Sequence, residues 1–332
     1  MPFGIQPTNM TERWFQKRAR CRRTLRPARR LSQTDCGPTI PVLTLPGRSG
    51  IMVSMNRLSQ AQRVAVVKAL VEGTSIRGTV RLTGVAKNTV TKLLVDLGAA
   101  CSEYQDRVFR DLPCRRLQAD EIWSFCNAKA RNVPEAHRRE FGWGDVWTWT
   151  AIDADTKLVP SWVIGERTIG DAIALMDDLK GRLANRVQLT TDGHKAYLEA
   201  VEGAFGLDID YAQLIKLYGN DPEAEKRYSP AKCVGVEVHR VSGNPALADV
   251  STSYVERQNL TMRMSMRRFT RLTNAFSRKV ENLAAAVSLH FMFYNFARPH
   301  KTLANPYPRT PAMAAGVADH VWKIEEIVAL LG

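Results

Sequence analysis

Three carboxylates set far apart along the chain, Asp120, Asp192 and Glu256, have the chemistry that binds hard divalent cations through oxygen. Two such cations about 3.5 to 4 Å apart activate an attacking hydroxyl and stabilise a leaving oxygen in phosphoryl displacement. The acids are 72 and 64 residues apart, so the chemistry needs a fold that brings distant segments to one edge. Asp120 lies in a run that reads as a strand, Arg116 to Phe125, and its neighbour Glu121 points to the opposite face. Spacing does not choose between the two. Asp192 ends the strand Val187 to Thr191, at the carboxyl end where open sheets collect ligands. Asp-Gly is equally a turn former or a helix cap, and Asp153 and Asp155 are assigned to that plainer turn role. Glu256 sits on a helix whose neighbours Thr252, Ser253, Asn259 and Leu260 offer no basic i±4 partner, so no simple salt bridge is expected. Asn259, Arg263 and Arg267 continue its face at spacings of 3, 7 and 11, a polar stripe suited to metal plus phosphate.

The elements that must position these acids follow from periodicity. Strands over 144–153 and 158–166 are joined by the turn Ala154-Asp155-Thr156-Lys157, and an amphipathic helix spans Asp171 to Leu183. The strand 187–191 and a helix carrying Tyr197, Leu198 and Val201 come next. Three antiparallel-looking strands, a helix and a further strand fit an α/β, RNase H-like mixed sheet with flanking helices. Residues 212–250, punctuated by Gly and Pro, read as an insertion with one short alternating run over 234–241. Helices are expected over 253–268 and 280–296, and a tail over 305–332 ends in a helix at 321–331.

Ahead of the sheet, a small all-α segment has a helix-turn-helix layout. Ser59 can cap a helix to Leu70 that Gly73 ends, and Ser75 can start another to Leu82. The turn Thr83-Gly84-Val85 then leads to a helix over 86–97, and a further helix ends near Arg110. Lys87, Asn88, Thr91 and Lys92 surround the apolar set Val90, Leu93, Leu94 and Leu97, which suits phosphate and base-edge contacts. A trihelical bundle without DNA contact is the alternative. The expected organisation is a leader over 1–54, a helix-turn-helix domain over 55–110, a catalytic domain over 111–304 and the tail.

Composition sets the frame. A chain of 332 residues with 45% hydrophobic content can fill real cores. A net charge of +14 favours a polyanionic partner, nucleic acid or an anionic membrane surface. Residues 1–54 hold ten Lys/Arg against two acids, so they supply +8 of it and read as a disordered leader. That leader is either a basic arm on DNA or translation from an upstream start with Met55 as the natural beginning, and the second reading is preferred. Six scattered cysteines without a C-x-x-C pair indicate neither zinc nor a disulfide framework, and point to reduced thiols in a cytoplasm. The longest uncharged apolar stretch, 282–297, is too short to span a bilayer, so no membrane partner is expected.

Five blocks in order carry a family resemblance: Leu117-Gln-Ala-Asp-Glu-Ile-Trp-Ser-Phe125, Gly144-Asp-Val-Trp-Thr-Trp-Thr-Ala-Ile-Asp153, Thr190-Thr-Asp-Gly-His-Lys-Ala-Tyr197, Ser253-Tyr-Val-Glu-Arg-Gln-Asn259 and Asn295-Phe-Ala-Arg-Pro-His-Lys-Thr-Leu303. Over residues 55–332 the chain resembles transposases of the insertion sequence 1 family and their relatives. The resemblance implies a DDE transposase of a bacterial, nucleoid-associated cytoplasm, with Asp120, Asp192 and Glu256 as its catalytic metal ligands. It selects Asp120 over Glu121, and implies two Mg2+ ions, with Mn2+ able to substitute. It further implies double-stranded DNA, element ends and target, as partner, a homo-oligomer in the synaptic complex, and Arg263, seven places after the Glu, as a DNA contact. The chain departs from the namesake enzymes in lacking a cysteine-rich zinc-binding segment. His300 falls in a matching block, with packing or DNA contact expected of it. The rival reading is a non-catalytic helix-turn-helix regulator or an inactive transposase copy.

Overall fold

The computed structural model describes residues 58–138, 140–219, 233–270, 274–303 and 305–332. The basic leader expected over 1–54 lies outside the described residues. The described chain is a mixed α/β fold. It opens with α1 (Gln60–Val71), where Ser59 Oγ accepts from the Gln62 amide at 3.2 Å and Gln62 Oε1 accepts from the Ser59 amide at 3.0 Å. This reciprocal pair satisfies two amides that a helix start leaves unbonded. Helix α2 (Ile76–Thr83) is capped by Ser75 and closed by Gly84 at φ +69°. Helix α3 (Lys87–Val108) runs unbroken for 22 residues, where the sequence suggested one helix stopping at Leu97 and another ending near Arg110.

Strands β1 (Arg116–Cys126), β2 (Gly144–Asp153) and β3 (Ser161–Gly165) form an antiparallel meander. Helix α4 (Ile169–Lys180) starts at the side-chain cap of Thr168. It leads to β4 (Gln188–Thr191), parallel to β1, and then to α5 (Ala196–Phe205) and β5 (Asp210–Tyr218), parallel to β4. The antiparallel β6 (Cys233–Ser242) completes the sheet order β3-β2-β1-β4-β5-β6. Helices α6 (Ser253–Ser265), α7 (Val280–Met292), α8 (Pro311–Ala314) and α9 (Ile324–Ala329) follow.

Four expectations are corrected. The stretch 212–250 is no insertion into the sheet: its described residues include most of β5 and all of β6. The strand expected from Leu158 begins at Ser161, because the amide and carbonyl of Val159 are taken by Asn295 Oδ1 and Nδ2, each at 3.1 Å. Helix α6 stops at Ser265, so Arg267 lies beyond it in a 3-10 turn that carries Phe269 into the core. The last helix is shorter than the expected 321–331, at Ile324–Ala329.

One hydrophobic cluster runs from Val64 to Val328 across residue 110. Helix α3 meets α7 at Gly98, where a Cβ would stand 2.5 Å from the Cα and carbonyl oxygen of Ala285. Gly98 therefore sets a close helix approach, not the helix end its type suggests. A buried polar thread reinforces the junction: Gln105 Nε2 donates to the Ser288 carbonyl at 3.3 Å, and Asn295 Nδ2 donates to Gln105 Oε1 at 3.4 Å. Asn295 belongs to a π-helical turn, Phe293–Ala297, that continues α7.

Candidate metal centre

Sheet register brings two of the acids together. The parallel ladder of β1 and β4 pairs Arg116 with Gln188 and continues to Ala119 with Thr191. One further step sets Asp120 beside Asp192. Asp192 Oδ1 accepts from the His194 amide at 3.0 Å, so this residue does form the turn its Asp-Gly pair suggested. Gly193 allows that turn to press on β5, since a Cβ there would lie 2.9 Å from Ile215 Cγ1.

Oxygens of Asp120, Glu121 and Asp192 all lie within 4.8 Å of one another. Glu121 projects from the other face of β1 yet its carboxylate reaches the same group, so the structure keeps beside Asp120 the acid that spacing left open and the family resemblance set aside. It also has structural partners. Arg167 Nε donates to its Oε1 at 2.7 Å, and the buried Tyr197 hydroxyl donates to its Oε2 at 3.2 Å. Burial pushes the Glu121 carboxyl up, the charge of Asp192 adds to this, and Arg167 opposes it. The Asp120 carboxyl is pushed up to about 7, by burial first, then by Glu121 and Asp192, with Glu256 contributing.

Helix α6 is docked by the same strand. Gln118 Oε1 accepts the amides of Tyr254 and Val255 at 2.8 and 3.1 Å, filling the acceptor role at the start of the helix. Asn259 Nδ2 donates to Asp120 Oδ2 at 2.8 Å. Between these anchors, Glu256 faces β5. Lys216 Nζ donates to both of its oxygens, at 2.6 Å to Oε2, and Thr252 Oγ1 donates to Oε1. The expectation that Glu256 lacks a salt-bridge partner is thus corrected: the partner comes from a neighbouring strand, not from its own helix. Glu256 is outside the three-acid group, although its charge is felt at Asp120.

The donor set fits a hard cation. Three carboxylates converge, and Asn259, 3% exposed, has its Oδ1 buried with no hydrogen-bond partner. A buried orphan carbonyl oxygen on the same amide as the nitrogen that touches Asp120 is an acceptor suited to a positive group.

The other expected site residues lie elsewhere. Lys87, Asn88 and Lys92 are exposed on the first turns of α3. Thr91 Oγ1 donates to the Lys87 carbonyl at 3.0 Å, and Lys92 pairs with Asp96. Arg263 is partly buried in the last turn of α6, and Arg267 is exposed beyond it. His300 stands edge-on to Tyr294 at 4.6 Å, and burial lowers its pKa to about 4. Sequence reasoning missed Lys216, Arg167 and Tyr197, and saw in Gln118 nothing beyond a strand position. Lys216 fell within the supposed insertion, and no local pattern marks an anchor whose partner lies 40 or more residues away.

Neither a protein-family model nor a curated protein sequence matches this chain. Among the described residues, no helix is long and apolar enough to cross a membrane.

Proposed function

We propose that the chain is a DDE-type DNA transposase that binds the ends of a mobile element and carries out metal-dependent DNA cleavage and strand transfer. The observation that carries this reading is the convergence of Asp120, within β1, and Asp192, just past the end of the neighbouring β4, with Glu256 on a helix docked to β1 by Gln118 and Asn259. The strand order, with an antiparallel meander followed by two parallel strands, supports an RNase H-like catalytic fold. Two Mg2+ ions, with Mn2+ as substitute, would be held by Asp120, Asp192 and Glu256; bound there they supply Lewis-acid activation of a hydroxyl and charge stabilisation of the leaving oxygen.

The chain's own residues orient and hold. Asn259 fixes one oxygen of Asp120, the Glu121 amide fixes the other, and the His194 amide fixes Asp192. Lys87, Asn88 and Lys92 present donors, and Thr91 an acceptor oxygen, at the start of α3 for phosphates and base edges of double-stranded DNA. Arg263 and Arg267 extend the basic surface past the acids. Joining two element ends calls for a homo-oligomer, and the setting is a bacterial cytoplasm in contact with the nucleoid.

The test is strand transfer by the full-length protein with Mg2+, using DNA fragments that flank the gene, beside Asp192→Asn. Joined products from the parent and none from Asp192→Asn, with equal DNA binding by the two, is the expected result. Strand transfer that survives Asp192→Asn overturns the assignment; specific binding without cleavage by the parent moves the reading to a helix-turn-helix regulator.

A further inference from the structure

Of Asp120, Asp192 and Glu256, Glu256 has a cationic side chain among its described partners. Both of its oxygens accept from Lys216 Nζ, and Oε1 also accepts from Thr252 Oγ1. Lys216 is on β5, the strand next to β4, which Asp192 directly follows, so an ammonium is placed at the edge where a cation is expected. The pair is open to solvent, with side-chain exposures of 30% for Lys216 and 42% for Glu256, so it can exchange without opening the core. The three acids that do converge are Asp120, Glu121 and Asp192, and beside them the Asn259 Oδ1 lacks a partner.

From this arrangement we infer that Lys216 is a positioning residue for the third acid: its ammonium holds the Glu256 carboxylate aside from the acidic group, and Glu256 becomes a divalent-cation ligand only on leaving Lys216. This rests on the metal-centre reading above. An ammonium and a dication seek the same two oxygens, and each excludes the other by occupancy and by like-charge repulsion. Lys216 thus weakens binding at Glu256 while keeping that carboxylate paired when no cation is present. Thr252, one helical turn back, has an uncharged hydroxyl and imposes no such repulsion.

Calorimetric titration of Mn2+ into the metal-free full-length protein, without DNA and at fixed salt, reads this directly. Lys216→Met is expected to bind Mn2+ roughly tenfold more tightly than the parent, since one nearby positive charge is removed. Lys216→Arg keeps the charge and adds a two-pronged grip on the carboxylate, so it is expected to bind roughly threefold more weakly. That opposite sign keeps the test alive should the Met variant fail to fold. Asp192→Asn serves as the reference and is expected to weaken binding by itself. If Asp192→Asn weakens Mn2+ binding but Lys216→Met leaves it unchanged or weaker, the role of Lys216 is refuted and the metal centre stands. If Asp192→Asn has no effect, the metal centre falls and the role of Lys216 with it.

Discussion

Two glycine-to-alanine substitutions, both in helices, are expected to change stability in opposite directions. In an exposed helix interior the exchange is favourable by about 0.5 to 1 kcal/mol, because alanine restricts the unfolded chain and has the higher helix propensity. Gly203 in α5 is such a position: it is exposed, and a Cβ built there meets nothing within 4 Å. Gly98 in α3 has the same helical gain, but its Cβ would stand 2.5 Å from two backbone atoms of Ala285 and 2.6 Å from its Cβ. Comfortable carbon contacts lie near 3.5 to 4.0 Å. The helices must therefore part by about 1 Å, and the atoms in the way are backbone, which cannot rotate aside. Overpacking of that kind costs about 1 to 3 kcal/mol, more than the propensity gain. Gly203→Ala should raise the urea midpoint of unfolding and Gly98→Ala should lower it, each measured against the parent by circular dichroism. A midpoint for Gly98→Ala equal to that of Gly203→Ala would refute the close approach of α3 to α7.

Acid should destabilise the protein through His290, whose ring is buried against Phe291 and Tyr294 with Nε2 unpartnered. Burial, aided by Arg298, lowers its pKa from 6.5 to about 3. The unfolded chain takes up this proton first, so stability is lost as pH falls below about 6.5, by about 2 kcal/mol at pH 5. His290→Leu should flatten that part of the stability profile, and an unchanged acid slope would show that the ring is not held neutral. At the start of α3, Lys87→Ala with Asn88→Ala should weaken binding to end-containing DNA about tenfold or more in fluorescence anisotropy at fixed salt, with an unfolding midpoint near that of the parent. Equal affinity would place DNA recognition elsewhere.

Much of the frame was legible because local chemistry and tertiary role agreed. Ser59 and Ser75 cap where side-chain chemistry says they should, and β2 occupies the expected strand Gly144–Asp153. That Asp120 and Asp192 would meet at one edge of a sheet was an expectation from their strand positions, while the parallel pairing of β1 with β4 that brings them together came only with the structure. Strand β5 was not legible, and β6 was legible only as the short alternating run 234–241 inside a supposed insertion. Tyr211, Ala212 and Gln213 are buried in succession, and every residue from Val236 to Val241 is exposed. With that segment read as an insertion, Lys216 had no place in the site and Glu256 seemed to lack a partner. Helix α3 reads in the sequence as stopping at Leu97, whereas Gly98 continues it and serves a contact 187 positions away. Arg267 looked like a continuation of the Glu256 stripe only while the helix was taken to run past Ser265.

The register of β1 has a consequence for which changes in chain length the protein can tolerate. Ten consecutive residues of β1, Leu117 to Cys126, are matched one to one with β2. The same strand aligns Asp120 with Asp192 through β4 and holds α6 through Gln118. Loss or gain of one residue between Gln118 and Asp120 would turn the acid to the opposite face and separate it from the helix bearing Glu256. The 72 and 64 residues that separate the three acids are under no comparable constraint, since length added in a connecting loop leaves the ladders intact. Relatives that share this site should therefore differ freely in the distances between their acids, yet keep the two-residue step from the Gln118 position to the Asp120 position.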